Sequence, residues 1–234
     1  MSRKIEVCCT SVADVVAARD GGAVRVELCS AISAGGVTPS AALVATAVRE
    51  RGEMAVNVLI RPREGGFVYS DEEVSVMAED IAAVRMAGAD GVVIGVLTPE
   101  GEIDIPAMRR MLGQAEGLSV TFHRAFDDCR DPFAALDILV ELGIDRVLTS
   151  GQSATAVEGA QLLARLVEYA AGRIIIMPGA GVSPANIDML HMQTGASEFH
   201  STAADKTAAR PSSPLFGMDP PRTSKDIVAA LVGC

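Results

Sequence analysis

Eight short strand-like runs recur along the chain, and Ala- and Leu-rich segments long enough to form helices separate them. Alternating strands and helices of this kind predict a parallel sheet with crossover helices. The length of 234 residues is close to that of a single (β/α)8 barrel, which has roughly 250 residues. We therefore predict an α/β protein with one TIM-barrel domain over residues 1–234. The predicted strands cover residues 5–9, 24–28, 56–60, 91–96, 119–123, 146–149, 174–177 and 198–200.

An open, doubly wound sheet is the structural alternative. That fold would place a glycine-rich dinucleotide turn after the first strand, where this chain has Cys8-Cys9-Thr10-Ser11. No low-complexity linker divides the sequence into two domains. The long irregular segment 201–222 contains prolines at positions 211, 214, 220 and 221, and such loops are commonly lids or contact surfaces.

Charge and cysteine content exclude several classes of protein. The formal net charge is −10 and no basic patch is visible, so we expect no nucleic-acid partner. No apolar stretch approaches the ~20 residues that span a bilayer, so we expect no membrane partner. The five cysteines are odd in number and no secretory signal precedes the first strand, which predicts reduced thiols and a cytoplasmic protein.

Side chains alternate between the two faces of a strand, which assigns several polar residues to the barrel interior. Glu6, Arg25 and Glu198 form a predicted lower layer on strands that become neighbours when the barrel closes. An isolated buried charge costs more than the few kcal/mol by which folds are stable, so these charges must pair. We predict a structural ion-pair network in this layer.

A predicted upper layer holds Cys8, Glu27, Arg61, His123 and His200, near the carboxyl ends of their strands. (β/α)8 barrels place their ligand sites at these ends. Glu27 and either histidine suit general acid–base chemistry, and Arg61 suits a bidentate contact to carboxylate or phosphate. His123, His200 and Glu27 could alternatively bind a divalent metal. The alternative is a polar barrel mouth that binds no ligand and catalyses no reaction. The convergence of these groups from several strands favours a ligand site.

Cys8 and Cys29 lie on neighbouring predicted strands and face the same side. Two such thiols could hold a soft metal ion. The residues alone favour the other interpretation, in which both are small buried hydrophobes, the commonest fate of a free cysteine. No C-x-x-C motif accompanies them.

The turn after the seventh strand, residues 178–183, carries glycines that allow close backbone approach to an anion. Ser183-Pro184 follows and predicts a capped helix start there. A tight βα turn explains the same residues without a ligand.

Ordered blocks along nearly the whole chain resemble the CutC family of copper homeostasis proteins. They include Arg25-Val26-Glu27-Leu28-Cys29-Ser30, Gly35-Gly36-Val37-Thr38-Pro39-Ser40, Thr121-Phe122-His123-Arg124-Ala125-Phe126-Asp127, Leu148-Thr149-Ser150-Gly151 and Glu198-Phe199-His200. The resemblance implies a (β/α)8 barrel, a cytoplasmic location, homodimers or higher homo-oligomers, and Cu(I) binding through Cys8 and Cys29. It implies no accepted enzymatic activity. The segment 201–205 lacks the cysteine that some members carry after this histidine.

Two functional hypotheses follow. The first is a cytoplasmic copper homeostasis protein that binds Cu(I) through Cys8 and Cys29. The second is an enzyme that acts on a small phosphorylated or carboxylated metabolite, with Glu27, Arg61, His123 and His200 as its catalytic residues.

Overall fold

A computed structural model describes residues 3–205, 207, 212–213, 215 and 217–233 of the chain. Eight parallel strands form the barrel and match the predicted strands to within two residues at either end. The fold prediction is therefore confirmed. The strands are β1 (Lys4–Cys9), β2 (Arg25–Leu28), β3 (Ala55–Leu59), β4 (Gly91–Ile94), β5 (Ser119–Phe122), β6 (Arg146–Thr149), β7 (Ile175–Pro178) and β8 (Glu198–Ser201).

Helices pack around the strands, and several of them begin at a side chain that accepts a backbone N–H, as Ser70 does for Glu73. No helix among the described residues is long and apolar enough to cross a membrane. The helices are α1 (Val12–Asp20), α2 (Ala41–Glu50), α3 (Asp71–Met86), α4 (Ile105–Leu112), α5 (Pro132–Glu141), α6 (Ala160–Ala170), α7 (Ile187–Thr194) and α8 (Lys225–Val232). In the long segment after β8, β9 (Ser212–Ser213) and β10 (Gly217–Met218) pair antiparallel.

The predicted helix start at Ser183-Pro184 is wrong, because α7 begins at Ile187. The side chain of Asn186 closes a turn in its place. Its Oδ1 accepts the Ser183 N–H at 2.8 Å, and its Nδ2 donates to the Gly181 carbonyl at 2.9 Å. The helix amino terminus that was expected to favour an anion at the turn 178–183 therefore lies further along the chain, at Ile187.

Hydrogen-bonded ladders join the strands in the order β7-β6-β5-β4-β3-β2-β1-β8. β7 and β8 lie side by side without a ladder between these two described strands. At the end of β8, the Ser201 hydroxyl donates to the carbonyl of Val182, in the loop after β7, at 2.8 Å. The register of β1 and β2 sets Glu6 opposite Arg25 and Cys8 opposite Glu27, which fixes the interior layers.

Apolar strand residues face the helices and form the main core, which is mostly aliphatic and includes a few buried phenylalanines. Burying each such side chain contributes about 1.5–3 kcal/mol. Buried members include Val7, Val26, Val58, Val92, Phe122, Val147 and Phe199. Because the apolar residues take the outward positions, the charged residues of the same strands point into the barrel.

The lower layer is the predicted ion-pair network. Arg25 donates through Nε to the Glu6 carboxylate, and its Nη2 lies 2.8 Å from Glu198 Oε2. Arg146 on β6, which the sequence interpretation left out, lies 3.3 Å from the same oxygen through Nε. Burial alone would raise the pKa of Glu6, but Arg25 and His200 outweigh it and lower that pKa to about 2. Burial alone would also raise the pKa of Glu198, but the charge and hydrogen bond of Arg25 outweigh burial and lower that pKa.

Candidate functional site

A cavity of about 840 Å³ opens at the carboxyl ends of the strands. It is lined by the five residues that alternation placed in the upper layer, namely Cys8, Glu27, Arg61, His123 and His200. Cys29 does not line the cavity and lies behind Cys8. The structure therefore brings the predicted mouth residues together, and their chemical roles stay predictions.

The two thiols predicted to share a site are adjacent. Cys8 Sγ and Cys29 Sγ are 3.5 Å apart, and both side chains are buried with Leu59 and Val93 in a small apolar cluster inside the barrel. The hydrogen bond with Cys29 and burial raise the pKa of the Cys8 thiol well above its usual range. Cys9 belongs to the helix-facing core instead.

The remaining cysteines are not part of this pair. The Cys129 thiol is buried, and its Sγ contacts the Ala125 carbonyl at 3.8 Å. Cys234 lies outside the described residues.

His200 connects the mouth to the ion-pair network. Its Nδ1 lies 2.8 Å from Glu6 Oε1, and because a carboxylate accepts, this nitrogen carries a proton. Its Nε2 lies 3.7 Å from Glu27 Oε2. The β1–β8 register pairs His200 with Glu6, so this mouth residue also contacts the lower layer.

The two carboxylates control the charge of this histidine. Burial alone would lower the pKa of His200, but Glu27 and then Glu6 outweigh burial and raise it. Burial raises the pKa of Glu27, and the attraction of His200 offsets this only in part.

Three possible metal donors converge at this point. Ligand atoms of Cys8, Glu27 and His200 all lie within 4.8 Å of one another. Thiolate and imidazole donors suit soft and borderline metals, whereas carboxylate suits harder ions. The sequence predicted that His123, His200 and Glu27 could bind a divalent metal. Among the described residues, the donor group contains Cys8 rather than His123.

Arg61 connects two loops at the barrel mouth, the one after β2 and the one after β3, through hydrogen bonds to their carbonyls. Its Nη1 donates to the carbonyls of Ala34 at 3.1 Å and Gly36 at 2.7 Å, and its Nη2 donates to Gly65 at 2.6 Å. The guanidinium carbon also lies 5.2 Å from the centre of the Phe67 ring. Three of its five N–H groups are therefore engaged by the protein. The sequence predicted an anion contact at Arg61 and did not reveal this positioning role.

His123 is 5% exposed and packs with its ring centre 4.9 Å from that of Phe67. Gly95 makes room for it, since a Cβ there would lie 2.5 Å from the imidazole. The ring Nδ1 accepts the Ala125 N–H at 3.1 Å, and Nε2 is buried with no hydrogen-bond partner among the described residues. Burial, followed by the charge of Arg61, lowers the pKa of His123 to about 3, so the ring is neutral at physiological pH.

Asp127 joins the loops after β5 and β6. Its carboxylate accepts from Thr149 Oγ1 at 2.5 Å, from the Ser150 N–H at 3.0 Å and from the Gln152 N–H at 3.1 Å. The two sequence blocks 121–127 and 148–151 therefore contact each other. The sequence analysis singled out both blocks but did not predict this role of Asp127, because contacts between loops leave no repeating pattern in the sequence.

The fold and its mouth define a (β/α)8-barrel protein with a thiol, an imidazole and a carboxylate converging in a deep interior site. The profile of the CutC family matches residues 3–205, and the chain belongs to that family. A CutC family protein of Parabacteroides distasonis is 52% identical over 203 residues, covering 87% of this chain and 84% of the relative. One from Xylella fastidiosa is 50% identical over 210 residues, covering 90% and 78% respectively.

Solved structures agree with the fold. The structure from Streptococcus agalactiae that carries the name copper homeostasis protein CutC is 36% identical, with a TM-score of 0.82. The alignment covers 86% of this chain and 98% of that one. An aldolase at 15% identity has a TM-score of 0.63, with coverage of 86% and 89%. At that identity the aldolase supports the barrel fold alone.

Proposed function

We propose that this chain is a copper homeostasis protein that binds Cu(I) through Cys8 and Cys29. The observation that carries the proposal is the 3.5 Å separation of the two Sγ atoms. Cu(I) is a soft ion that thiolates select over harder ligands. The Streptococcus agalactiae relative, named as a copper homeostasis protein, supports the same function.

The sulfur separation favours a bent site over a linear one. With metal–thiolate bonds of roughly 2.3 Å, a linear S–metal–S unit needs sulfurs about 4.6 Å apart. The observed 3.5 Å is shorter, so at this separation the S–Cu–S angle is bent rather than linear. A bent pair leaves one side of the ion open to a third ligand.

His200 is the third ligand that we propose. One ring nitrogen of His200 lies within 4.8 Å of Cys8 Sγ and of a Glu27 carboxylate oxygen. Its other ring nitrogen binds Glu6, and metal-binding histidines usually donate their second N–H to such a partner. The ion would displace the proton on Nε2, and Glu6 would keep the ring oriented.

The cellular setting rests on the family. We propose a cytoplasmic location, where thiols stay reduced and available to Cu(I). We also propose that the chain forms homodimers or higher homo-oligomers, as the family resemblance implies.

The enzyme hypothesis has less support in the geometry. It required Arg61 to clamp an anion, and both terminal nitrogens of Arg61 donate to loop carbonyls. Glu27 and His200 remain a possible acid–base pair, but both lie in the proposed metal donor group.

Titration with Cu(I) against a chromogenic Cu(I) chelator tests the proposal. The wild-type protein is expected to bind one ion per chain, and Cys8→Ser and Cys29→Ser are each expected to lose it. Cys129→Ser is the matched control, because that buried thiol contacts the Ala125 carbonyl instead. Equal Cu(I) affinity of the wild-type protein and the double variant would refute the thiol site.

A further inference from the structure

We propose that the barrel mouth also binds a small organic carboxylate, with the Nε2–H of His123 donating to the carboxylate oxygen. This goes beyond copper binding, because a single ion leaves most of the cavity unused. The volume of about 840 Å³ lies within the range of small-molecule sites, roughly 300–1,000 Å³.

The donor is fixed by its local structure. His123 Nδ1 accepts the Ala125 N–H, so the proton of a neutral ring is on Nε2. That nitrogen has no hydrogen-bond partner among the described residues, although the side chain is buried. A buried donor without a partner is costly, and a ligand oxygen would remove that cost.

The surroundings select a negative oxygen attached to an apolar body. The Arg61 guanidinium is held in place beside Phe67, which packs against His123, so its positive charge acts on the imidazole. Ile32, Leu59, Leu148 and Val182 give much of the remaining lining an aliphatic character.

A carboxylate fits this site better than a phosphate does. Phosphate sites in barrels use a helix amino terminus with several N–H donors. Here the α7 helix begins only at Ile187, beyond the 178–183 turn. One imidazole donor with one nearby guanidinium matches the smaller charge of a carboxylate.

Imidazole 15N NMR of the full chain tests this proposal, because only three histidines contribute imidazole signals. The probes are the straight-chain carboxylates from acetate to decanoate, the matching alcohols and hexyl phosphate. Carboxylates of intermediate length are expected to shift the Nε2–H signal of His123 in a saturable way. The alcohols and hexyl phosphate are expected to bind about tenfold more weakly or not at all.

Variants separate this site from the metal site. His123→Phe keeps an aromatic ring without the donor and is expected to weaken carboxylate binding by about tenfold or more. The same variant is expected to bind Cu(I) normally, so the two proposals can fail separately. His191→Gln is the control, because His191 lies on α7 with its Nδ1 on the Ala196 carbonyl.

The overturning outcomes are equally definite. No shift of the His123 signal with any carboxylate at millimolar concentration would reject the site. Equal binding of carboxylates and alcohols, or tighter binding of hexyl phosphate, would reject the ligand class. The signal comes from wild-type protein, so the test holds even if His123→Phe fails to fold.

Discussion

His200 Nδ1 lies 2.8 Å from Glu6 Oε1, and this bond joins the mouth of the barrel to the buried charges below it. Glu6 also accepts from Arg25, so one carboxylate holds an interior arginine and orients the mouth histidine. The lower network therefore does more than satisfy buried charge, because it fixes which ring nitrogen of His200 faces Glu27 and Cys8.

Replacing Glu6 by Gln is expected to lower the pKa of His200, because the variant removes one of the two negative charges that raise it. The neutral amide can still accept a hydrogen bond from Arg25. An NMR pH titration of the His200 ring measures the shift. Glu102→Gln, at an exposed ion pair with Arg130, is the control and is expected to leave it unchanged. An unchanged His200 pKa in the Glu6 variant would contradict the coupling.

Arg25→Ala is expected to lower the free energy of unfolding by roughly 3–5 kcal/mol, because it leaves buried carboxylates without their shared cation. The carboxylates of Glu6 and Glu198 are the ones affected. Arg130→Ala breaks an exposed pair with Glu102 and is expected to cost at most about 1 kcal/mol. Urea denaturation of both variants measures the difference. Similar stability of the two variants would show that the network contributes little.

Acid is expected to destabilise the fold partly through His123. Its pKa is about 3 in the folded state, well below that of an unfolded histidine, which is roughly 6.5. Between these values the unfolded chain binds the extra proton, so stability falls as the pH drops through this window. One such proton changes the unfolding free energy by about 1.4 kcal/mol per pH unit.

His123→Phe removes this contribution. The slope of unfolding free energy against pH between neutrality and mild acid is therefore expected to be shallower in the variant than in the wild-type protein. Denaturant titrations at several pH values give both slopes, and His191→Gln serves as the control. Parallel slopes in wild-type and His123→Phe would mean that His123 is protonated in the folded protein.

Asp127→Ala is expected to cost about 2–4 kcal/mol, because backbone N–H groups of Ser150 and Gln152 lose their acceptor. Hydrogen exchange should accelerate in the loop after β6 more than in the strands. Asp137→Ala, at an exposed residue that pairs with Arg173, is the control. Unchanged exchange at residues 150–152 would show that the Asp127 carboxylate does not stabilise this loop.

Strand alternation predicted the barrel interior well. Glu6, Arg25 and Glu198 meet as expected, because the period of two leaves no other face for them. The same rule applied to β6 would have found Arg146, whose Nε lies 3.3 Å from Glu198 Oε2. Residues on regular strands were therefore predictable, including one that the interpretation left out.

Loop contacts were not predictable in the same way. Arg61 was expected to bind an anion, but its partners are carbonyls of Ala34, Gly36 and Gly65, whose positions depend on irregular loop paths. The helix start at Ser183 failed for a related reason. Its Ser-Pro pattern is a local preference, and the Asn186 side chain overrides it by closing a turn.

X-ray absorption at the copper edge tests the central claim most directly, because it reports the atoms bound to Cu(I) in the loaded protein. Our account predicts two sulfur neighbours and one nitrogen neighbour. The nitrogen is expected to disappear in His200→Gln, and both sulfurs are expected to disappear in the Cys8→Ser, Cys29→Ser double variant. A copper environment of oxygen and nitrogen alone, or one that the double variant leaves unchanged, would contradict the thiol site.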